Sequence, residues 1–289
     1  MTSTGGCSPT ASLRAYVDQA QAEKLIVILD SHPRDAFKAM LMSGGQPADD
    51  YRALWSKLAE VFKGVPAPQM YFELLNEPGS QSKSAWWPQQ QQIVKAIRAV
   101  DPDRGIIASP PELSTIANLV GQQPYPEGNI VYTFHFYSPM MFTHQGAEWG
   151  SSVYRTLNGV PYPLSVATLE QFQANVADVV SRSKIQADAA GGDWDSERIT
   201  AKIATAGAWS RQFSVPLICT EFGVYKRNAA AGDRLKWLTD VRTALEGQEI
   251  AWSIWEYIGG FGIADGRFGQ RQIDDGVGDA LGLALSEER

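Results

Sequence analysis

"YFELLNEPGS", residues 71–80, joins an apolar run to an abrupt polar stop. Tyr71-Phe72-Glu73-Leu74-Leu75 reads as a buried strand. Asn76-Glu77-Pro78-Gly79 then ends it with an amide, a carboxylate and a turn. Such an ending serves chemistry better than packing, so the question is whether other strands end the same way.

Six apolar runs rich in Ile and Val read as strands: Leu25–Asp30, Met70–Asn76, Gly105–Ser109, Ile130–His135, Pro216–Glu221 and Ala251–Trp255. They are continuous rather than alternating, as expected of parallel strands covered on both faces. Helix-period stretches lie between them. Tyr51, Leu54, Trp55, Leu58, Val61 and Phe62 fall on one helical face. Ile93, Val94, Ile97 and Val100 form a second such face, and Leu235, Leu238, Val241 and Leu245 a third. The connection from Pro139 to Ser214, 76 residues, is expected to hold an extended loop and two helices, around 166–188 and 195–213. No repeat, low-complexity tract or linker interrupts the chain, so residues 1–289 read as a single domain. Strand–helix alternation predicts an α/β fold with a parallel sheet. A doubly wound nucleotide-binding sheet would want G-x-G-x-x-G after a strand, and none is present. A (β/α) barrel instead predicts chemistry at the C-terminal strand ends.

Five of the six strands meet that prediction. "LDSHP" supplies Asp30 and His32, and the opening stretch supplies Asn76 and Glu77. "FHFYSP" supplies His135 and Tyr137, "ICTEFG" supplies Glu221, and "WSIWEY" supplies Trp255. The chain has three histidines: His32 and His135 at strand ends, and His144 in the loop after one. Two glutamates on different strands suggest paired-carboxylate chemistry. One carboxyl protonates a departing oxygen while the other attacks or activates water; a separation of about 5–5.5 Å selects the double-displacement, retaining route. Asn76 suits a hydrogen bond to a sugar hydroxyl. His135 and Tyr137 share one side of a strand by period two and are placed to orient a carboxylate. Trp255 offers a flat face to a pyranose ring. In "FTHQGAEW", 142–149, His144, Gln145 and Trp149 are candidate substrate contacts, with turn-stabilising roles as the alternative.

"FELLNEP", "YTFHFYSPMMFTHQGAEW", "ICTEFGVY" and "WSIWEYIGGFG", in that order, resemble glycoside hydrolase family 5, the cellulase family, from about residue 12 to residue 282. The resemblance implies a (β/α) TIM-barrel-like fold and a retaining hydrolase of β-linked glucan with no cofactor and no metal. It makes Glu77 the acid/base and Glu221 the nucleophile. His32, Asn76, His135, Tyr137 and Trp255 match its supporting positions. The Glu77 pKa is expected to be raised while Glu221 is free and to drop once Glu221 is esterified. Exo-acting glucosidase activity and non-catalytic carbohydrate binding are the alternatives.

The family places these residues on strands four, seven and eight; here they fall on the second, fifth and sixth. The expectation is therefore an incomplete barrel of about six strands with the first two β/α units missing. The family's arginine beside the nucleophile is missing with them; Arg34 and Arg227 are candidate substitutes. An unclosed barrel exposes strand edges, so a homo-oligomer, dimer or trimer, is expected to cover them.

The bulk numbers restrict partners. Net charge is −7, with Lys and Arg scattered, so no nucleic-acid partner is expected. No run approaches the ~18 apolar residues of a membrane span. The opening MTSTGGCSPT has neither the basic nor the apolar region of a signal peptide, and Cys7 lacks a lipid-anchor context; compartment is left open. Cys219, inside an apolar run, reads as a buried thiol.

Overall fold

The structure, a computed structural model, describes residues 9–149, 152–174 and 179–283. Cys7 lies outside them. Six parallel strands follow one another in chain order: β1 (Val27–Asp30), β2 (Met70–Glu73), β3 (Gly105–Ala108), β4 (Ile130–Phe136), β5 (Leu217–Phe222) and β6 (Ala251–Trp252). Helices follow the strands, and the fold is the expected (β/α), TIM-barrel-like class. The described chain packs as two compact units. One comprises the residues up to Phe134 with Phe213–Leu217, the other His135–Gln212 and Ile218 onward.

In the first unit β1, β2 and β3 pair in parallel, Val27 level with Met70 and Tyr71 level with Gly105. Met70, Phe72, Leu74 and Leu75 are fully buried, which is why this segment carries no alternation. The helix Gln46–Phe62 buries Tyr51, Trp55, Ala59 and Phe62 against the strands; Trp55 and Phe72 ring centroids are 5.3 Å apart. Leu54, expected on that face, is 48% exposed, because the apolar stripe is narrower than the sequence pattern. The helix Trp86–Val100 buries Ile93, Val94 and Ile97, and the Trp86 indole donates to the Ser109 carbonyl at 2.9 Å.

Arg104 joins the layers. It is 1% exposed and paired with Asp101 at 2.8 Å. Its guanidinium also donates to the carbonyls of Phe62, Val65 and Met70, between 2.8 and 3.1 Å. A buried charge persists only when its donors are satisfied. This one closes the end of a helix onto the start of β2.

In the second unit β5 pairs in parallel with β6, Ile218 level with Ala251. Aromatic rings form the core: Phe136 stacks on Trp237 at 6.1 Å, and Trp252 meets Phe222 edge-on at 5.6 Å. The helix Ala231–Glu246 buries Trp237, Leu238, Val241 and Leu245. The 139–214 connection holds more helix than expected: Met140–Thr143, Ser152–Thr156, Val166–Ala174, Val179–Ala189 and Ser196–Phe213. A two-stranded antiparallel hairpin, β7 (Ala264–Asp265) and β8 (Gln272–Ile273), follows β6. Asp274 caps the next helix by accepting from the Val277 N–H at 2.9 Å. Among the described residues no helix is long and apolar enough to cross a membrane.

Asp188 gives this unit a pH dependence. Its carboxylate accepts from the Met141 N–H at 3.2 Å, and burial pushes its pKa up to about 6 against the pull of that bond and of Arg198. Between about pH 4 and pH 6 the unfolded chain releases this proton while the folded one keeps it, so stability falls as pH rises through that window. Asp188→Asn retains the acceptor and removes the ionisation. Urea titrations are expected to find the variant gaining about 2–3 kcal/mol on wild type between pH 4 and pH 7, and no gain below pH 4.

Candidate active site

In the first unit, register brings His32 and Asn76 together. Asp30 is level with Glu73, and the ladder continues as the Asn76 N–H donates to the Ser31 carbonyl at 2.9 Å. The Asn76 side-chain amide then lies 3.1 Å from His32 Nε2. An amide nitrogen can only donate, so Nε2 accepts and the ring proton sits on Nδ1, facing Asp30 Oδ2 at 3.6 Å. Asn76 is 3% exposed and His32 is exposed.

Glu77 is half-buried and has a φ of +40°. That is unfavourable for a branched-at-Cβ or long side chain, and doubly so ahead of a proline, which favours extended backbone at the preceding residue. Bonds on both sides hold it there. The Ser109 hydroxyl donates to the Leu75 carbonyl at 2.5 Å, and the Gly79 N–H donates to the Glu112 carbonyl at 2.9 Å. A non-glycine residue kept in the left-handed region by its surroundings marks a side chain that must point one way.

In the second unit, β4 and β5 carry the other carboxylate and its partners. Glu221 is 8% exposed. Its Oε2 accepts from the Tyr137 hydroxyl at 2.8 Å and lies 3.4 Å from His135 Nδ1. His135 on β4 and Tyr137 just past its end, two apart in sequence, thus converge on one oxygen, as period two requires. Arg227, considered as a partner, is instead bound to Glu148 on the surface. Arg34, the other candidate, is exposed at the head of the helix Asp35–Met42. Cys219 is wholly buried two residues before Glu221, and burial pushes its thiol pKa up strongly; it is an inert core group.

The aromatic residues of this unit form a continuous wall. The Thr143 hydroxyl donates to the Tyr137 carbonyl at 2.6 Å, leaving its oxygen to accept from His144 Nδ1 at 2.9 Å. The His144 ring packs edge-on against Tyr137 at 5.1 Å. Trp149, 62% exposed, meets Tyr225 edge-on at 4.8 Å. Phe261 joins them, its ring 5.5 Å from Tyr225 and 5.8 Å from Tyr137. Phe261 and Tyr225 were not singled out in sequence, although both lie within the strand-end motifs quoted above. Gln145 has the turn-stabilising role: its amide donates to the Phe142 and Val160 carbonyls. Trp255 is half-buried beyond the regular end of β6, its N–H donating to the Phe222 carbonyl at 3.0 Å. Gly223 permits this approach, since a Cβ there would collide with the Trp255 carbonyl oxygen.

The family model for cellulases, glycosyl hydrolase family 5, matches residues 5–259. The chain belongs to glycosyl hydrolase family 5. Among curated relatives of this family 5 chain, endoglucanase 3 of Fibrobacter succinogenes is 28% identical over 236 residues, 79% of this chain and 35% of that protein. Endoglucanase C of Acetivibrio thermocellus is 30% identical over 192 residues, 64% of this chain and 53% of the relative. The chain thus spans about a third to a half of the length of these relatives. A solved hyperthermophilic endo-β-1,4-glucanase, in complex with substrate, is similar over 94% of this chain and 77% of its own, with a TM-score of 0.76 and 25% identity. An endoglucanase from the hyperthermophilic Thermotoga maritima gives a TM-score of 0.72 over 93% and 76%, also at 25% identity.

Proposed function

We propose that this chain is a retaining endo-β-glucanase, hydrolysing β-1,4-linked glucan by double displacement. The observation that carries the reading is the Glu221 environment. A buried carboxylate that accepts from a phenol hydroxyl and faces an imidazole nitrogen suits a nucleophile. Membership of the cellulase family and relatives named as endoglucanases support the substrate class.

In this reading Glu77 donates its proton to the glycosidic oxygen while Glu221 attacks the anomeric carbon, and the sugar–oxygen bond breaks. Glu77, now ionised, takes a proton from water, whose oxygen displaces Glu221 from the same carbon. Two inversions leave the β configuration. Asn76, aligned by His32, holds a sugar hydroxyl close to the reacting carbon. Tyr137 and His135 follow the Glu221 charge as it is spent and restored. Trp255, Trp149 and His144 supply faces for pyranose rings.

The test is a panel of soluble β-1,4-, β-1,3- and mixed-linkage glucans with aryl cellobiosides. A rapid fall in viscosity on the β-1,4 polymer, with β-anomeric ends appearing first by NMR, is the expected result. Release of glucose alone makes the chain exo-acting. Binding without any cleavage makes it a carbohydrate-binding module.

Copies of this chain are further proposed to associate through the free side of β1. Among the described residues this strand ends the sheet order, and Leu25 and Ile26 ahead of it are 59% and 66% exposed. Unpaired strand edges beside apolar side chains are covered at least cost by a symmetric second copy. Sedimentation equilibrium is expected to return a dimer or trimer; a single-chain mass at micromolar concentration rules the association out.

A further inference from the structure

The loop after β3, "SPPELST" at 109–115, follows the one strand of the described six-stranded sheet whose end the mechanism leaves unused. It does not run free. The Glu112 N–H donates to the Ser82 hydroxyl at 2.7 Å, and its carbonyl accepts from the Gly79 N–H at 2.9 Å. Its Oε2 accepts from the Asn118 amide at 2.6 Å. Glu112 and Ser114 both hold positive φ, 60° and 51°. Both are non-glycine residues in the left-handed region, Glu112 fixed by bonds to the loop that follows Glu77 and Ser114 by its hydroxyl and N–H on the Pro110 and Pro111 carbonyls, and they describe a shaped wall rather than a passing turn.

Behind this wall lies a cavity of about 470 Å³, bounded by the Pro78–Gln81 segment, the 112–118 segment and the helix Asp35–Met42. Its size falls within the range of small-molecule sites. Lys38 lines it at 6% exposure, and its ammonium has neither hydrogen-bond nor ion-pair partner among the described residues. An ammonium offers three donors and no acceptor. Glu112 Oε1 and the Gln81 amide supply acceptors and donors on the same lining. Asp35 adds a second carboxylate. One ammonium against two carboxylates leaves the lining net negative, which disfavours an anion. Alternating donors and acceptors beside the apolar surface of Pro78 and Leu113 match a neutral ring of hydroxyls with a C–H face.

We propose that this cavity is an outlying sugar subsite, taking one pyranose ring of a β-glucan chain beyond those bound at the two carboxylates. The proposal rests on the reading of Glu77 as acid/base, because the cavity wall begins at the next residue. Lys38 donates to ring hydroxyls and Glu112 accepts from them; Leu113 lies under the ring.

The test is calorimetric titration of Glu221→Gln with cellotriose, cellotetraose, cellopentaose and cellohexaose. Affinity is expected to rise with length in this parent. Adding Lys38→Met is expected to weaken cellohexaose binding roughly tenfold, the worth of one hydrogen bond to a charged group, and so flatten the rise. Gln81→Ala, at an exposed position, is expected to flatten it roughly threefold without touching the core, which covers a Lys38 variant that fails to fold. An unchanged rise in both, or a parent with no rise, overturns the subsite while leaving the two carboxylates in their roles. No binding of any oligosaccharide by the parent, together with no cleavage by wild type, overturns both readings.

Discussion

Glu221→Ala is expected to lower kcat on soluble β-1,4-glucan by roughly 10⁴-fold, with folding intact. No other group on β5 can form the bond to the anomeric carbon: Thr220 carries a weak nucleophile, and Cys219 is sealed in the core with its thiol protonated. The variant also leaves the Tyr137 hydroxyl and His135 without the oxygen on which they converge, 2.8 and 3.4 Å away. Truncation further opens space where the carboxylate stood. Azide is small enough to enter it, and its electron pair forms the C–N bond while Glu77 protonates the departing oxygen. The product is the α-glycosyl azide, one inversion from the β-linked substrate. Tyr137→Phe, which keeps the ring and removes one donor, is expected to cost roughly tenfold in kcat and to gain nothing from azide. Glucan hydrolysis by Glu221→Ala at a rate near wild type removes this residue from the nucleophile's role.

Glu77→Ala is expected to separate two kinds of substrate. On glucan, whose leaving oxygen is a poor base-stabilised group, loss of the proton donor should cost between about 10² and 10⁴ in kcat. On a 2,4-dinitrophenyl cellobioside the leaving group departs as an anion without help. The first step then proceeds while the second lacks its base, so a burst of phenolate equal to the enzyme present should precede a slow steady state. Azide should speed that steady state and yield the β-glycosyl azide, the anomer opposite to the one from Glu221→Ala. The two products together distinguish which carboxylate does which task, a point that rate losses alone leave open. Equal losses on both substrates, without a burst, would assign Glu77 to binding.

The strands were readable because burial on both faces writes itself as unbroken runs of Ile, Val and Leu. All six fall where those runs predicted. Their C-terminal ends were readable for a second reason: polar residues stop such a run only where something needs them. Hence His32, Asn76, His135, Tyr137 and Glu221 could be named as site candidates from their strand ends, and the structure pairs His32 with Asn76 in one unit and His135 and Tyr137 with Glu221 in the other. What escaped depends on contacts far apart in sequence. Regular pairing in β6 ends at Trp252, not Trp255, because the chain turns to follow Phe222. The β7–β8 hairpin has too few apolar residues to signal itself. Phe261 joins the aromatic wall through a loop, and Arg234 pins that loop by donating to the Phe261 and Gly262 carbonyls at 3.0 Å. Arg227 was a candidate partner for Glu221 by proximity along the chain, but proximity along a chain says nothing of where a long side chain finds its carboxylate.

Gly223 sits where the end of β5 passes the Trp255 backbone with no room for a methyl group. That crowding ties two properties an engineer would prefer to vary separately. Rebuilding the 255–262 loop to admit a branched or bulkier polymer will drag the segment bearing Glu221 with it, so specificity here will be won by trimming side chains, not by regrafting the loop.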